Sequence, residues 1–327
     1  MPNYPIKLAE LKEHVDTEEP ISALNDSLAP LERILVETFD APLQPTIFIV
    51  GAPRSGTTLL SQLLTAKYEI GYVSNLVARF WKAPYLGMLL MQQIRGDGPP
   101  DVGFSSDLGS TSGYEGPHEF GHFWRRWFLY ENTHSVSKDR LRKVDVPFLK
   151  QECAAMESVE ARPFLFKNLV CSFQIDFLSN VFPKAVFVHC RREPIFVAQS
   201  LLESRIRYNG SREEWFSVKP EAYETLRERR YPEQIAGQIY HTRLAVERAF
   251  DDLPPSRFCR IDYEQIVEHP SRSLQDVTDA VEKNGGRITE RQRFSFSELT
   301  STNEKTIDTG EFERLEKACH KFFGYTN

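Results

Sequence analysis

The segment GAPRSGTT, Gly51 to Thr58, carries the spacing of a phosphate-binding loop with one change. The pattern G-x-x-x-x-G-K-[ST] wraps nucleotide phosphates in backbone N–H groups and reaches the outermost ones with its lysine. Here both glycines and Thr58 are in register, but Thr57 stands where the lysine belongs. Arg54 supplies the segment's cation, and Ser55, Thr57 and Thr58 supply hydroxyls. The loop suits an anion at a helix N-terminus, without the lysine that a triphosphate tail demands.

Three further stretches hold candidate chemistry. CRREPIFVAQS places Arg191 and Arg192 at the end of an apolar run, with Ser200 eight residues beyond Arg192. Arginine gives phosphate a permanent, bidentate charge, so a strand-end arginine and a hydroxyl on the next helix can converge on one phosphate. Lys167 closes another apolar run, RPFLFKNLV. YEGPHEFGHFW contains Glu115, His118, Glu119 and His122, and His118-Glu119-x-x-His122 has the form of a zinc metallopeptidase signature. Against that rival, Gly-Pro precedes the motif, Gly121 interrupts the helix it needs, and no third ligand stands at the expected spacing. As an acceptor-site segment, the same residues offer Glu119 or His118 as a general base, with Glu115 and His122 next in line. As plain structure, they would only cap a helix.

These residues need elements that aim them at one place. PTIFIV, residues 45–50, is a β-branched apolar run ending at Gly51, and TTLLSQLLTAKY continues with apolar residues at 59, 60, 63 and 64. That is a buried parallel strand, a turn and a helix. RPFLFKNLV and AVFVHC read as further strands, the latter running into Arg191 and Arg192, with FVAQSLLESRIRYN helical after it. RFCRIDYEQIVEHP reads as a strand that turns into a short helix. The alternation predicts an α/β fold, a doubly wound parallel sheet with helices on both faces and a P-loop-like turn at its centre. Ligands gather at the carboxyl ends of such strands. Residues 96–117, rich in Gly, Pro, Ser and Asp, read as a long functional loop. The first 40 or so residues read as an N-terminal helical extension to one domain spanning 1–327.

The net charge of −6 over 327 residues argues against general nucleic-acid binding. The five cysteines are scattered with no C-x-x-C pair, as expected of reduced residues in a cytoplasmic protein. The start lacks the pattern of a signal peptide, and the apolar stretches are too short to span a bilayer.

Taken together, the motifs resemble the sulfotransferases that use 3′-phosphoadenosine 5′-phosphosulfate (PAPS). Pro53, Arg54, Ser55, Gly56, Thr57 and Thr58 match that family's P-[RK]-S-G-T-T loop. Arg192, Glu193, Pro194 and Ser200 match its 3′-phosphate motif, and Tyr263 to Pro270 match its Y-E-[DQ]-[LI]-V-x-x-P element. The closing FERLEKACHKFFGY looks like its last helix and Gly-Tyr, so the likeness runs from about residue 45 to 325. It implies sulfuryl transfer to a hydroxyl of a glycan, glycolipid or small molecule, with adenosine 3′,5′-bisphosphate released and no metal required. It also implies that residues 53–58 hold the 5′-phosphosulfate and that Arg192 and Ser200 hold the 3′-phosphate. By the same likeness, Arg54 and Lys167 meet the transferring group, and Tyr263 lies near the adenine. Leu169 stands where the cytosolic branch has its base histidine, and Leu59 where it has an adenine-stacking tryptophan. The base must then come from elsewhere, with Glu119 and His118 the candidates. A nucleotide-binding kinase or a pseudoenzyme is the remaining alternative, and the presence of Arg54 and Lys167 speaks against it. Neither the acceptor nor the oligomeric state is legible.

Overall fold

The computed structural model describes residues 15–96, 98–104, 106–107, 109–291 and 299–324. The first fourteen residues of the expected extension and Tyr325 of the closing pair lie outside the described residues.

The main sheet has five strands: β1 (Thr46–Gly51), β2 (Gly71–Tyr72), β3 (Phe164–Lys167), β4 (Val186–Arg191) and β5 (Phe258–Asp262). Their order is β2-β3-β1-β4-β5, and each pairing is parallel. The predicted fold class therefore holds. The two-residue edge strand β2 escaped the sequence reading, being too short to show a period. The helices that matter here are α1 (Val15–Val36), α2 (Thr57–Lys67), α3 (Pro84–Arg95), α4 (Gly121–Phe128), α5 (Val146–Glu160), α6 (Pro194–Asn209), α7 (Tyr231–Asp251), α8 (Pro270–Lys283) and α9 (Thr309–Phe323).

Alternation along the strands loads both faces of the sheet. Ile47, Ile49, Leu165, Val186 and Val188 point one way, onto Leu60, Leu63 and Leu64 of α2 and Val277 and Val281 of α8. Phe48, Phe166 and Phe187 point the other way and meet Phe123 and Trp124 of α4. The Phe48 ring lies 5.7 Å from that of Phe166 and 5.3 Å from that of Phe187. Each such buried side chain contributes roughly 1.5–3 kcal/mol through lost water contact. This two-sided burial is why β1 reads as one continuous apolar run. A third cluster joins α6, α7 and α9 through Leu201, Ile235, Ile239 and Leu315.

Helix α1 is packed into the fold. Asn25 donates to the Arg79 carbonyl and accepts from the Lys82 N–H. Glu32 is wholly buried and accepts from the Tyr85 and Leu86 N–H groups in the first turn of α3. A buried carboxylate at a helix N-terminus satisfies amides that have no partner within the helix.

Candidate active site

At the carboxyl end of β1 the chain turns sharply. Gly51, Arg54 and Gly56 all have positive φ, at 145°, 67° and 95°. At Gly56 glycine is required twice over, because a Cβ there would also sit 2.8 Å from the Tyr263 ring. Behind the loop, the Cys190 thiol on β4 donates to the Ser55 carbonyl at 3.0 Å, and Ser172 accepts from the Gly51 N–H. Burial pushes that thiol up to about 12, so it stays a neutral donor. The loop is thus pinned from beneath, with Thr57 and Thr58 opening α2 above it.

The expected residues converge. Arg54 Nε donates to Ser200 Oγ at 2.9 Å, joining the loop to α6. Arg192 is buried, its NH1 donating to the Arg54 carbonyl. Its remaining donors go to the Asn303 side chain at 2.7 Å and to the Thr302 carbonyl at 2.9 Å. Its guanidinium stacks 4.6 Å over the Tyr263 ring. Lys167, almost wholly buried at the end of β3, donates to Thr58 Oγ1 at 3.0 Å and to Glu119 Oε1 at 2.6 Å. Glu119 Oε2 makes no hydrogen bond among the described residues.

Other candidates stand elsewhere or in different states. Arg191, a weaker candidate for the 3′-phosphate, is tied by two bonds to Asp262 on the adjacent strand, at 2.8 and 2.9 Å. Glu115 is buried and accepts from the Asp101 N–H, so it anchors the long loop. His118 Nδ1 accepts from the Phe120 N–H at 2.8 Å. Desolvation, helped by the charge of Lys167, lowers His118 to about 4. A neutral ring that accepts at Nδ1 carries its hydrogen on Nε2, so His118 is a donor at neutral pH and has no lone pair left for a proton. Helix α4 begins only at Gly121, with Phe120 left-handed before it. His118 and His122 therefore do not share a helical face as the zinc signature requires. Among the described residues no three His, Cys, Asp or Glu side chains are grouped as metal ligands.

A cleft of 480 Å³ opens over the loop, lined by Arg54, Gly56–Leu59, Glu119, Arg192, Tyr263 and Thr302 among others. Sequence reasoning missed several of its walls. Gly109, φ 100°, brings the long loop over Thr58 and Arg54. Phe216 and Ser217 enter from the α6–α7 connection, and Leu299 to Thr302 from the stretch before α9. The run of hydroxyls in LTSTN was the one available signal for the last of these. Tyr263 forms the floor under Gly56 and Arg192.

A phosphate-type loop, two arginines and a lysine–carboxylate pair thus stand together at one end of the sheet. Residues 45–283 match the sulfotransferase family, and the chain belongs to that family. It is 24% identical over 285 residues to the omega-hydroxy-beta-dihydromenaquinone-9 sulfotransferase Stf3 of Mycobacterium bovis and of Mycobacterium tuberculosis. The match covers 78% of this chain and 68% of each relative. Sulfotransferase STF1 of Mycobacterium tuberculosis shares the fold, with a TM-score of 0.50 at 16% identity over 93% of this chain and 79% of that one. Sulfotransferase STF9 of Mycobacterium avium aligns with a TM-score of 0.46 at 19% identity, over 74% of this chain and 64% of that one. No described helix is long and apolar enough to cross a membrane.

Proposed function

We propose that the chain is one sulfotransferase domain that moves a sulfuryl group from PAPS to an acceptor hydroxyl. The observation that carries this reading is the contact of Lys167 with both Thr58 and Glu119, which joins donor loop, cation and carboxylate. The amides of 54–58 and the hydroxyls of Thr57 and Thr58 hold the 5′-phosphosulfate, while Arg192 and Ser200 hold the 3′-phosphate. Leu59 and Leu299, apolar walls of the same cleft, pack the adenine. Glu119 accepts the hydroxyl proton as the acceptor oxygen bonds to sulfur and the bond from sulfur to the bridging oxygen breaks. Arg54 and Lys167 meet the charge that grows on the departing bisphosphate and the sulfuryl oxygens. A hydroxylated small molecule, glycan or glycolipid remains the class, and the cytoplasm the expected place.

Calorimetry tests the donor assignment. Adenosine 3′,5′-bisphosphate should bind tightly without Mg²⁺, and ATP much more weakly. Arg192→Ala should weaken the bisphosphate far more than 5′-AMP. Equal losses for both ligands would remove Arg192 from the 3′-phosphate.

A further inference from the structure

Beyond Glu119 lies a second cavity, of 370 Å³, lined by Gly109, Thr111, Pro117, His118, Glu119, Gly121, His122, Arg125 and Tyr130. Gly109 and Glu119 also line the donor cleft, so the two spaces meet at the carboxylate. Helix α4 explains the wall. Phe123, Trp124, Trp127 and Phe128 are buried in the core, which leaves His122 and Arg125, three apart, on the outward side.

The charges on this wall do not cancel. Glu119 is already neutralised by Lys167. Arg126, the next residue of α4, is taken by the buried Glu152, and Arg140 beyond Tyr130 by Glu131. Arg125 has no carboxylate within ion-pair distance among the described residues, and its guanidinium lies 5.8 Å from the centre of the Tyr130 ring. His118, which also lines the cavity, keeps an N–H donor on its other ring nitrogen. The His122 ring is held against Trp81, centres 4.8 Å apart. The wall therefore combines one uncompensated cation with several hydrogen-bond donors.

Resting on the sulfotransferase reading, we propose that this cavity is an acceptor subsite for an oxyanion. The acceptor then carries a carboxylate or phosphate as well as its reacting hydroxyl. Arg125 holds the anion and so delivers the hydroxyl to Glu119. Arginine suits the task because its fork matches a planar or tetrahedral oxyanion at two points. The negative charge on the acceptor also explains why the base-side wall is basic in a protein whose net charge is −6.

The test uses the full chain and a length series of ω-hydroxyalkanoates, each matched with the neutral diol of equal length. Transfer of radioactive sulfate from PAPS is measured for both series. The hydroxyalkanoates should lead in kcat/KM by about tenfold or more at the best length, and Arg125→Gln should erase the lead. The loss should fall on KM, with kcat and bisphosphate affinity little moved. Arg125→Lys should restore part of the lead. Hydroxyalkyl phosphates in place of the carboxylates tell which oxyanion fits better. The proposal is overturned if diols match the acids, or if the preference survives in Arg125→Gln. It is also overturned if no hydroxyalkanoate gives saturation-transfer contacts with the bisphosphate-loaded protein at millimolar concentration. Failure of the bisphosphate itself to bind would instead sink the donor reading. The anion preference is then read from the same saturation-transfer comparison on the unloaded protein, where equal acid and diol signals overturn it.

Discussion

Arg54 combines an unusual backbone with a proposed role at the reacting bond. Its φ of 67° lies in the left-handed region, which costs a residue other than glycine about 1–3 kcal/mol. Alanine has the same Cβ and bears a similar cost, so Arg54→Ala isolates the guanidinium. Charge on the bridging oxygen appears only as the S–O bond breaks. The variant should therefore lose on the order of a hundredfold to a thousandfold in kcat, with a smaller loss in bisphosphate affinity. A raised KM for PAPS at unchanged kcat would make Arg54 a binding residue only. Glu119→Gln is a sharper test of the base, since the amide oxygen can still accept from Lys167. Its rate should drop on the order of a hundredfold to ten-thousandfold, less for acceptors with acidic hydroxyls. Near-normal turnover would move the base elsewhere.

At this scale most of the residues proposed to hold the donor could be picked out in the sequence. Gly56, Thr57, Thr58, Arg192 and Lys167 each sit where a strand ends or a helix starts, and such places show in the sequence as a change of period. The partners of these residues could not be picked out. Asp262 takes Arg191 because β5 lies beside β4, and strand order is invisible in a single chain. Thr302 and Asn303 reach Arg192 from more than a hundred residues away, through a stretch with no period at all. His118 looked like a base by type, and only the Phe120 N–H fixes where its proton sits.

Among the elements, α1 and α5 are held by carboxylates that burial alters. Glu32 binds the first turn of α3, with Glu152 and Arg126 nearby, and Glu157 of α5 binds the Leu43 and Gln44 N–H groups, with Lys184 nearby. Burial raises each from 4.5 to about 7. Below 4.5 the folded and unfolded chains both hold these protons. Between 4.5 and about 7 the folded protein holds protons that the unfolded chain has lost, so stability declines as pH rises through this window. The melting temperature should fall from about pH 4.5 to about pH 7 and level off above that. Glu32→Gln, which cannot ionise, should flatten that slope. A melting temperature that rises over this range would show both groups ionised in the fold. The sequence suggested a helical extension over the first 40 or so residues but gave no hint that Glu32 turns inward, because a lone Glu on a helix is ordinarily solvated.

For the whole molecule, the cleft proposed for the donor is a junction. Pro53, Arg54 and Gly56–Leu59 come from the β1–α2 turn, Glu119 from the entry to α4, Arg192 from the end of β4, and Leu299, Thr300 and Thr302 from the approach to α9. A ligand that touches all of them binds the folded chain alone. At a hundredfold excess over its Kd the bisphosphate should add about 2.7 kcal/mol to stability, seen as a higher melting temperature. Arg192→Ala should shrink that shift, and ATP with Mg²⁺ should give little. An equal shift from ATP would contradict the 3′-phosphate assignment.

The strand order also sets a clock. Thr46 pairs with Phe164, and Ile47 with Val186, so β1 waits for partners made far downstream. Such distant pairings slow folding, because each large loop must close before any contact rewards it. During synthesis GAPRSGTT is complete early, yet both edges of the strand that carries it stay bare, and the Cys190 and Ser172 groups that pin the turn have not been made. A nascent or truncated chain that stops before β3 would display every residue of the loop motif on a strand with neither neighbour and a turn still unpinned.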